Sequence, residues 1–212
     1  MPNLNRFQTS FFARVVASLL IAATLIAPSA QARGTRAAYA SGGADVAPSY
    51  SIPAAGSIEV AFSPNESSEA LVCKAIDSAK HQIRGLAYSF TAPRVVERLL
   101  AAIHRGVDVK LVVDYKENIS EDRSGRARAA LSALATAGAD VRTIAVYPIA
   151  HDKTFLIDGI TAELGSYNYS EAAAHRNSEN VFVNWNNPAL VAVYLSHFQR
   201  NYAQSVPFKL GY

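Results

Sequence analysis

From Ser57 onward, apolar and polar residues alternate between two periods. Ser57–Phe62 alternates with period two and reads as a strand. Ser67–Lys80 has a helical period, carried by Ala70, Leu71 and Ile76 to Ala79. Gln82–Ser89 is strand-like. Pro93–His104 opens on a proline suited to a helix N-terminus and puts Val95, Val96, Leu99, Leu100 and Ile103 on one face, with Gly106 as the stop. Val107–Asp114 predicts a strand, Arg126–Ala137 a helix closed by Gly138, and Asp140–Val146 another strand. Lys153–Asp158 and Thr161–Gly165 are strand-like runs around Asp158-Gly159-Ile160, and an Asp-Gly between apolar runs signals a hairpin. Asn180–Asn184 predicts a last strand and Pro188–Tyr202 a closing helix.

Short connections between alternating strands and helices predict an α/β domain. The hairpin in the second half makes its central sheet mixed, flanked by helices. The expected domain spans 57–212. Residues 33–56, rich in Gly, Ala, Ser and Pro, read as a flexible leader.

The first 32 residues follow another logic. Arg6 and Arg14 precede the run Val15 to Ala27, Pro28 breaks it, and Ala30-Gln31-Ala32 offers small residues for cleavage. This order is that of a secretory signal peptide, with a single membrane anchor as the alternative. Spanning a bilayer takes about 20 apolar residues, more than this run supplies. Export to a bacterial periplasm or medium is the expectation. Ala38-Tyr39-Ala40 is a second candidate cleavage site.

The chain has 212 residues, of which 50% are hydrophobic, too many for a disordered tail. Its net charge of +3 hints weakly at an anionic partner. Cleavage after Ala32 would remove two arginines and no acid, and over 57–212 basic and acidic residues cancel. Substrate binding must then rest on local placement of cations. The lone Cys73, in an apolar helical stretch, reads as a buried inert thiol.

No phosphate-loop, dinucleotide or nucleophile-elbow motif occurs. The histidines His81, His104, His151, His175 and His197 have no metal-ligand spacing, so neither a metal nor a cofactor is expected. The informative stretch begins His151-Asp152-Lys153. On a strand, His151 and Lys153 share a face; on a helix they would lie about 200° apart. Ser166 and Asn168 repeat that spacing beyond the hairpin partner. The hairpin would gather an imidazole, an ammonium, a hydroxyl and an amide. Such a set suits reactions in which negative charge grows on non-bridging oxygens, such as phosphoryl transfer. Taken singly, each residue has a plain structural role; the joint spacing carries the signal.

The set His151, Lys153, Asp158, Gly165, Ser166 and Asn168 resembles the signature of the phospholipase D superfamily. It is most similar to the single-motif, Nuc-type branch of exported bacterial endonucleases, over about Ser57 to the C-terminus and including Asn177-Ser178-Glu179-Asn180. The resemblance implies that His151 is a nucleophile forming a covalent phosphohistidine. Lys153 would hold the phosphate oxygens, with Ser166 and Asn168 completing that cradle. Glu179 would accept a hydrogen bond from His151 and set its tautomer. Asp158 would brace the hairpin, with Gly165 a structural member of the motif, and Asp152 would be exposed. The family mechanism needs two motif histidines and this chain has one, so the resemblance implies a homodimer with a shared active site. The implied substrate is DNA, with RNA as a further candidate. Phospholipid head groups are the alternative, and a catalytically dead nucleic-acid-binding protein a third class. Tyr88, Arg123, Arg126, Arg128, His175 and Arg176 are candidate backbone contacts, the arginines equally a solvated helix face.

Overall fold

The computed structural model describes residues 49–64 and 67–210. The expected signal peptide at 1–32 and the leader through residue 48 lie outside the described residues. The end of the leader is anchored where Ala55 O accepts from Asn184 Nδ2 at 3.0 Å.

The strands are β1 (Ser57–Ser63), β2 (Gln82–Ala87), β3 (Asp108–Asp114), β4 (Asp140–Ile144), β5 (Lys153–Ile157), β6 (Thr161–Gly165), β7 (Glu179–Trp185) and β8 (Val206–Pro207). The α-helices are α1 (Ser68–Asp77), α2 (Pro93–His104), α3 (Arg126–Thr136), α4 (Glu171–His175) and α5 (Pro188–Gln204), and a π-helical turn spans Lys116–Ser120. All strands join one sheet in the order β1-β7-β6-β5-β2-β3-β4-β8. β2, β3 and β4 run parallel, linked through α2 and α3, and every other pairing is antiparallel. The sheet is mixed, as the hairpin predicted.

Local chemistry accounts for the elements. Pro93 starts α2, and Val95, Leu99 and Ala102 form its buried stripe. Gly106, at φ +87°, takes the left-handed turn that ends it. Asn187 caps α5 by accepting from Leu190 N at 3.1 Å, and Pro188 follows at the first helical position. The π-helical turn, α4 and β8 are too short to show a period and were not expected.

The core has two layers. Ile83, Leu111, Val113, Phe155, Ile157 and Val183 face α1, α2 and α3. Leu86, Val112, Ile144, Leu156 and Ala162 face Val191 and Phe198 of α5. β3 is buried on both faces, hence its nearly unbroken apolar run. Cys73 is buried, and desolvation first, then Glu69, pushes its thiol up to about 11, consistent with an inert side chain. Among the described residues no helix is long and apolar enough to cross a membrane.

Candidate active site

One edge of the sheet collects the carboxyl ends of β2, β3 and β6 and the amino ends of β5 and β7. In α/β sheets this is where loops can place side chains around a ligand. His151 lies two residues before β5, and Lys153 is its first residue.

Lys153 is buried, only 7% exposed. Its Nζ donates to the His151 carbonyl at 2.9 Å and lies 5.1 Å from the Tyr88 ring centroid. Burial lowers its affinity for a proton, and the charges of Asp152, Glu179 and Glu117 only partly restore it. A buried cation of this kind gains most from an anion that replaces lost water. His151 is exposed, and its ring meets Tyr88 edge to face with centroids 4.6 Å apart. Tyr88 thus forms a wall common to both motif side chains.

The segment leading to His151 is held by groups that sequence reasoning missed. Asp114, at the end of β3, accepts from Ala150 N at 2.8 Å and Glu117 N at 2.7 Å. Buried Asn118 accepts from Phe90 N at 2.9 Å and donates to Tyr88 O and Asp114 O, at 2.5 and 2.8 Å. An acid ending an apolar parallel strand was the available signal for Asp114. Asn118 had none, because its partners lie far off in sequence.

The second group stands on β6 and β7. Gly165 is required by close approach: a Cβ there would lie 2.2 Å from Asn180 O. The Ser166 backbone N–H donates to Asn180 O at 3.1 Å, and its Oγ donates to Glu179 Oε2 at 2.6 Å. Glu179 also accepts from Asn177 Nδ2 at 3.0 Å. The alternation continues past the strand end: Tyr167 and Tyr169 are buried, Ser166 exposed and Asn168 half-buried. The Asn168 Oδ1 atom is itself buried and has no hydrogen-bond partner within the described residues.

Two expectations are corrected. Glu179 forms no hydrogen bond to His151 among the described residues; it holds Ser166 and Asn177, and it reaches Lys153 through its charge. Asp152 is not a free surface acid. It pairs with His197 of α5 at 3.1 Å, and Arg200 approaches the other ring nitrogen at 2.6 Å. An arginine only donates, so His197 Nδ1 is the acceptor in that contact.

Asp158 sits at the opposite end of β5 from Lys153, about 17 Å away by strand rise. It has φ +53°, and Gly159 has φ +72°, the left-handed pair of a tight hairpin turn. Its carboxylate accepts from Lys80, His81 and Gln82 N–H, each at 2.9 Å. Burial raises its pKa, but these three donors outweigh that and hold it below the usual carboxylate value. Asp158 therefore braces the hairpin against the α1–β2 turn. Among the described residues no group of three or more His, Cys, Asp or Glu side chains could hold a metal ion.

Residues 72–202 match the family model described as cardiolipin synthase, PLD-like domain. A phospholipase D of Rickettsia typhi is 31% identical over 162 residues, 75% of this chain and 76% of the relative. A phospholipase D of Rickettsia bellii is 32% identical over 126 residues, and the chain spans only 60% of that relative's length. Among solved structures, Nuc from Salmonella typhimurium, a phospholipase D family member, superposes with a TM-score of 0.69 at 43% identity, covering 72% of this chain and 98% of Nuc. NucT from Helicobacter pylori shares the fold, with a TM-score of 0.60 at 20% identity. With one family model matching well over half of its length, and a relative 31% identical over three quarters of both chains, the chain belongs to the phospholipase D family.

Proposed function

We propose that the protein is a metal-independent phosphodiesterase, a non-specific endonuclease that hydrolyses DNA, with RNA as a further substrate. The observation that carries this reading is an exposed His151 beside a buried Lys153 cation. A neutral imidazole nitrogen attacks the phosphorus, a nitrogen–phosphorus bond forms and the bond to the leaving oxygen breaks. His151 of the partner subunit, as an imidazolium, protonates that oxygen. The now neutral imidazole takes a proton from water, whose oxygen displaces the nitrogen and frees the phosphate monoester. Lys153, Ser166 and Asn168 stabilise the charge on the non-bridging oxygens. Two like imidazoles in opposite protonation states make a bell-shaped pH profile whose pKa values belong to the pair.

Identity favours a nucleic-acid substrate: 43% to Nuc against 31–32% to the proteins named phospholipase D. Those names support phosphatidyl head groups as the second reading. Export of the mature chain belongs to the same proposal and rests on residues 1–32.

The test is a DNA-cleavage assay of the purified protein in excess EDTA, beside hydrolysis of phosphatidylethanolamine vesicles. Cleavage persists in EDTA and is abolished in His151→Ala. Lys153→Met loses at least 100-fold, and Lys153→Arg does not restore it, because a planar guanidinium does not fit the buried ammonium site. Lipid hydrolysis without DNA cleavage would reverse the order of the two readings, and activity that returns only with Mg²⁺ would overturn the metal-free mechanism.

A further inference from the structure

A cavity of about 450 Å³ opens between the π-helical turn, α3 and the β4–β8 edge. Sheet register relates it to the motif. Lys153 pairs with Ala87, Ala87 with Val113, Val113 with Thr143, and Thr143 with Val206. Paired residues project from one face, so this row crosses the sheet on the side that packs against α1, α2 and α3. Thr143 and Val206 line the cavity, about 14 and 19 Å from Lys153 at the usual strand spacing. Tyr115 joins it to the motif segment. It follows Asp114, whose carboxylate holds Ala150 N at 2.8 Å, and Ala150 precedes His151. The other walls are apolar: Ile119, Val206 and half-buried Phe208, beside a Tyr115 that is 42% exposed. Arg128 and Lys209 also line the cavity, and no acid does. Among the described residues neither cation forms an ion pair, and the Arg128 guanidinium donates to the Ile119 carbonyl at 3.3 Å.

We propose that this cavity is a subsite for single-stranded nucleic acid, taking one base of the substrate strand about four to six nucleotides from the phosphate at His151 and Lys153, at the usual rise per nucleotide. The proposal rests on the endonuclease reading above and adds where the strand runs and in which state it enters. Its size is that of a small-molecule site. Aromatic walls within a positive groove are what a single strand requires, since every base has a face to stack and every linkage a negative charge. The charge fits for a local reason. Basic and acidic residues cancel over 57–212, so two cations without an acid beside them are a concentration that the rest of the domain lacks. A base paired within a duplex is stacked between its neighbours and enters a cavity only by leaving the helix, which favours a strand already single. An acyl chain would use the apolar walls but neither cation.

The experiment is fluorescence anisotropy on His151→Ala, which holds DNA uncleaved, with labelled strands of two and twelve thymidines and a twelve-base-pair duplex. Cleavage by wild type is measured alongside. The longer strand binds about ten-fold more tightly than the shorter one, which cannot reach the cavity, and about five-fold more tightly than the duplex. In the same background Tyr115→Ala loses about five- to 100-fold in affinity for the longer strand, and Tyr115→Phe, which keeps the ring, restores it. Arg128→Gln and Lys209→Gln each lower the slope of log Kd against log salt by about 0.7, the change for one lost phosphate contact on a single strand. Both cations are exposed, so they test the subsite even if Tyr115→Ala misfolds. Undiminished binding in Tyr115→Ala with unmoved salt slopes would overturn the subsite and leave the endonuclease reading standing. Equal affinity for strand and duplex would overturn the single-strand assignment. A wild type that cleaves no DNA, with a His151→Ala that binds none, would overturn the endonuclease reading itself. Weaker binding to phosphatidylglycerol vesicles in Tyr115→Ala, with strand binding intact, would assign the cavity to lipid instead.

Discussion

The Tyr88 and His151 rings meet edge to face at 4.6 Å, and the same Tyr88 ring lies 5.1 Å from Lys153 Nζ. One aromatic side chain therefore orients the motif imidazole and faces the motif cation. Edge-to-face pairs and cation–π contacts contribute about 0.5–2 kcal/mol each. Tyr88→Ala should lower kcat about ten- to 100-fold with intact folding. Tyr88→Phe keeps the ring and should stay within about three-fold of wild type. Equal losses in both variants would move the role from the ring to the hydroxyl.

Glu179 acts on Lys153 through charge while accepting from Ser166. Glu179→Gln keeps an acceptor for Ser166 and removes the negative charge. That charge favours protonated Lys153, so its loss lowers the lysine's pKa further below the ordinary value. Activity that needs the cation should then fail at lower pH. The high-pH loss of activity that reports Lys153, beyond the limb set by the imidazole pair, should begin at lower pH in Glu179→Gln than in wild type, and an unmoved loss would separate Glu179 from the cation.

Glu163 is fully buried on β6 and accepts from Tyr169 OH at 2.8 Å. Burial pushes its carboxyl up to about 8, against the opposing pull of the Tyr169 and Phe155 hydrogen bonds. Between its ordinary value of 4.5 and about 8, the unfolded chain has lost the proton that the folded chain keeps. Stability conferred by this group is thus complete below 4.5 and declines until the pH passes about 8. Glu163→Gln, always neutral, removes that dependence. Thermal melting of both proteins from pH 5 to 9 should show the variant gaining on wild type as pH rises, and a constant difference would refute the neutral buried acid.

Asp158 accepts three backbone N–H groups at the end of β5 remote from Lys153. Asp158→Ala should cost about 1–2 kcal/mol in urea denaturation, since it removes a charged acceptor from three N–H groups that water can only partly replace. Below its melting temperature the variant should keep kcat within a few-fold of wild type. A loss of cleavage without a loss of stability would place Asp158 in the chemistry.

Much of this was legible along the chain. The α2 stripe with its Pro93 start and the Asp158-Gly159 hairpin follow from spacing alone. Short elements escaped because five residues at Lys116–Ser120 or Glu171–His175 show no period. Asp114 and Asn118 escaped for another reason. Their partners are 36 residues away at Ala150 and 30 away at Tyr88, and no local pattern reports such contacts.

Periodicity, turn chemistry and motif spacing belong to neighbouring residues, so the chain by itself determined its seven longer strands, its main helices and the family. The tertiary structure alone decided which strands adjoin. β5 enters beside β2, and β7 pairs with β1 across more than a hundred residues. It also decided that Glu179 faces Ser166 rather than His151, that Asp152 is tied to His197, and that Arg128 and Lys209 line one cavity. Each of these depends on the packing of segments distant in sequence. A hydrogen bond or a buried face exists only after the chain has closed those distances, and local propensity does not specify which closure prevails.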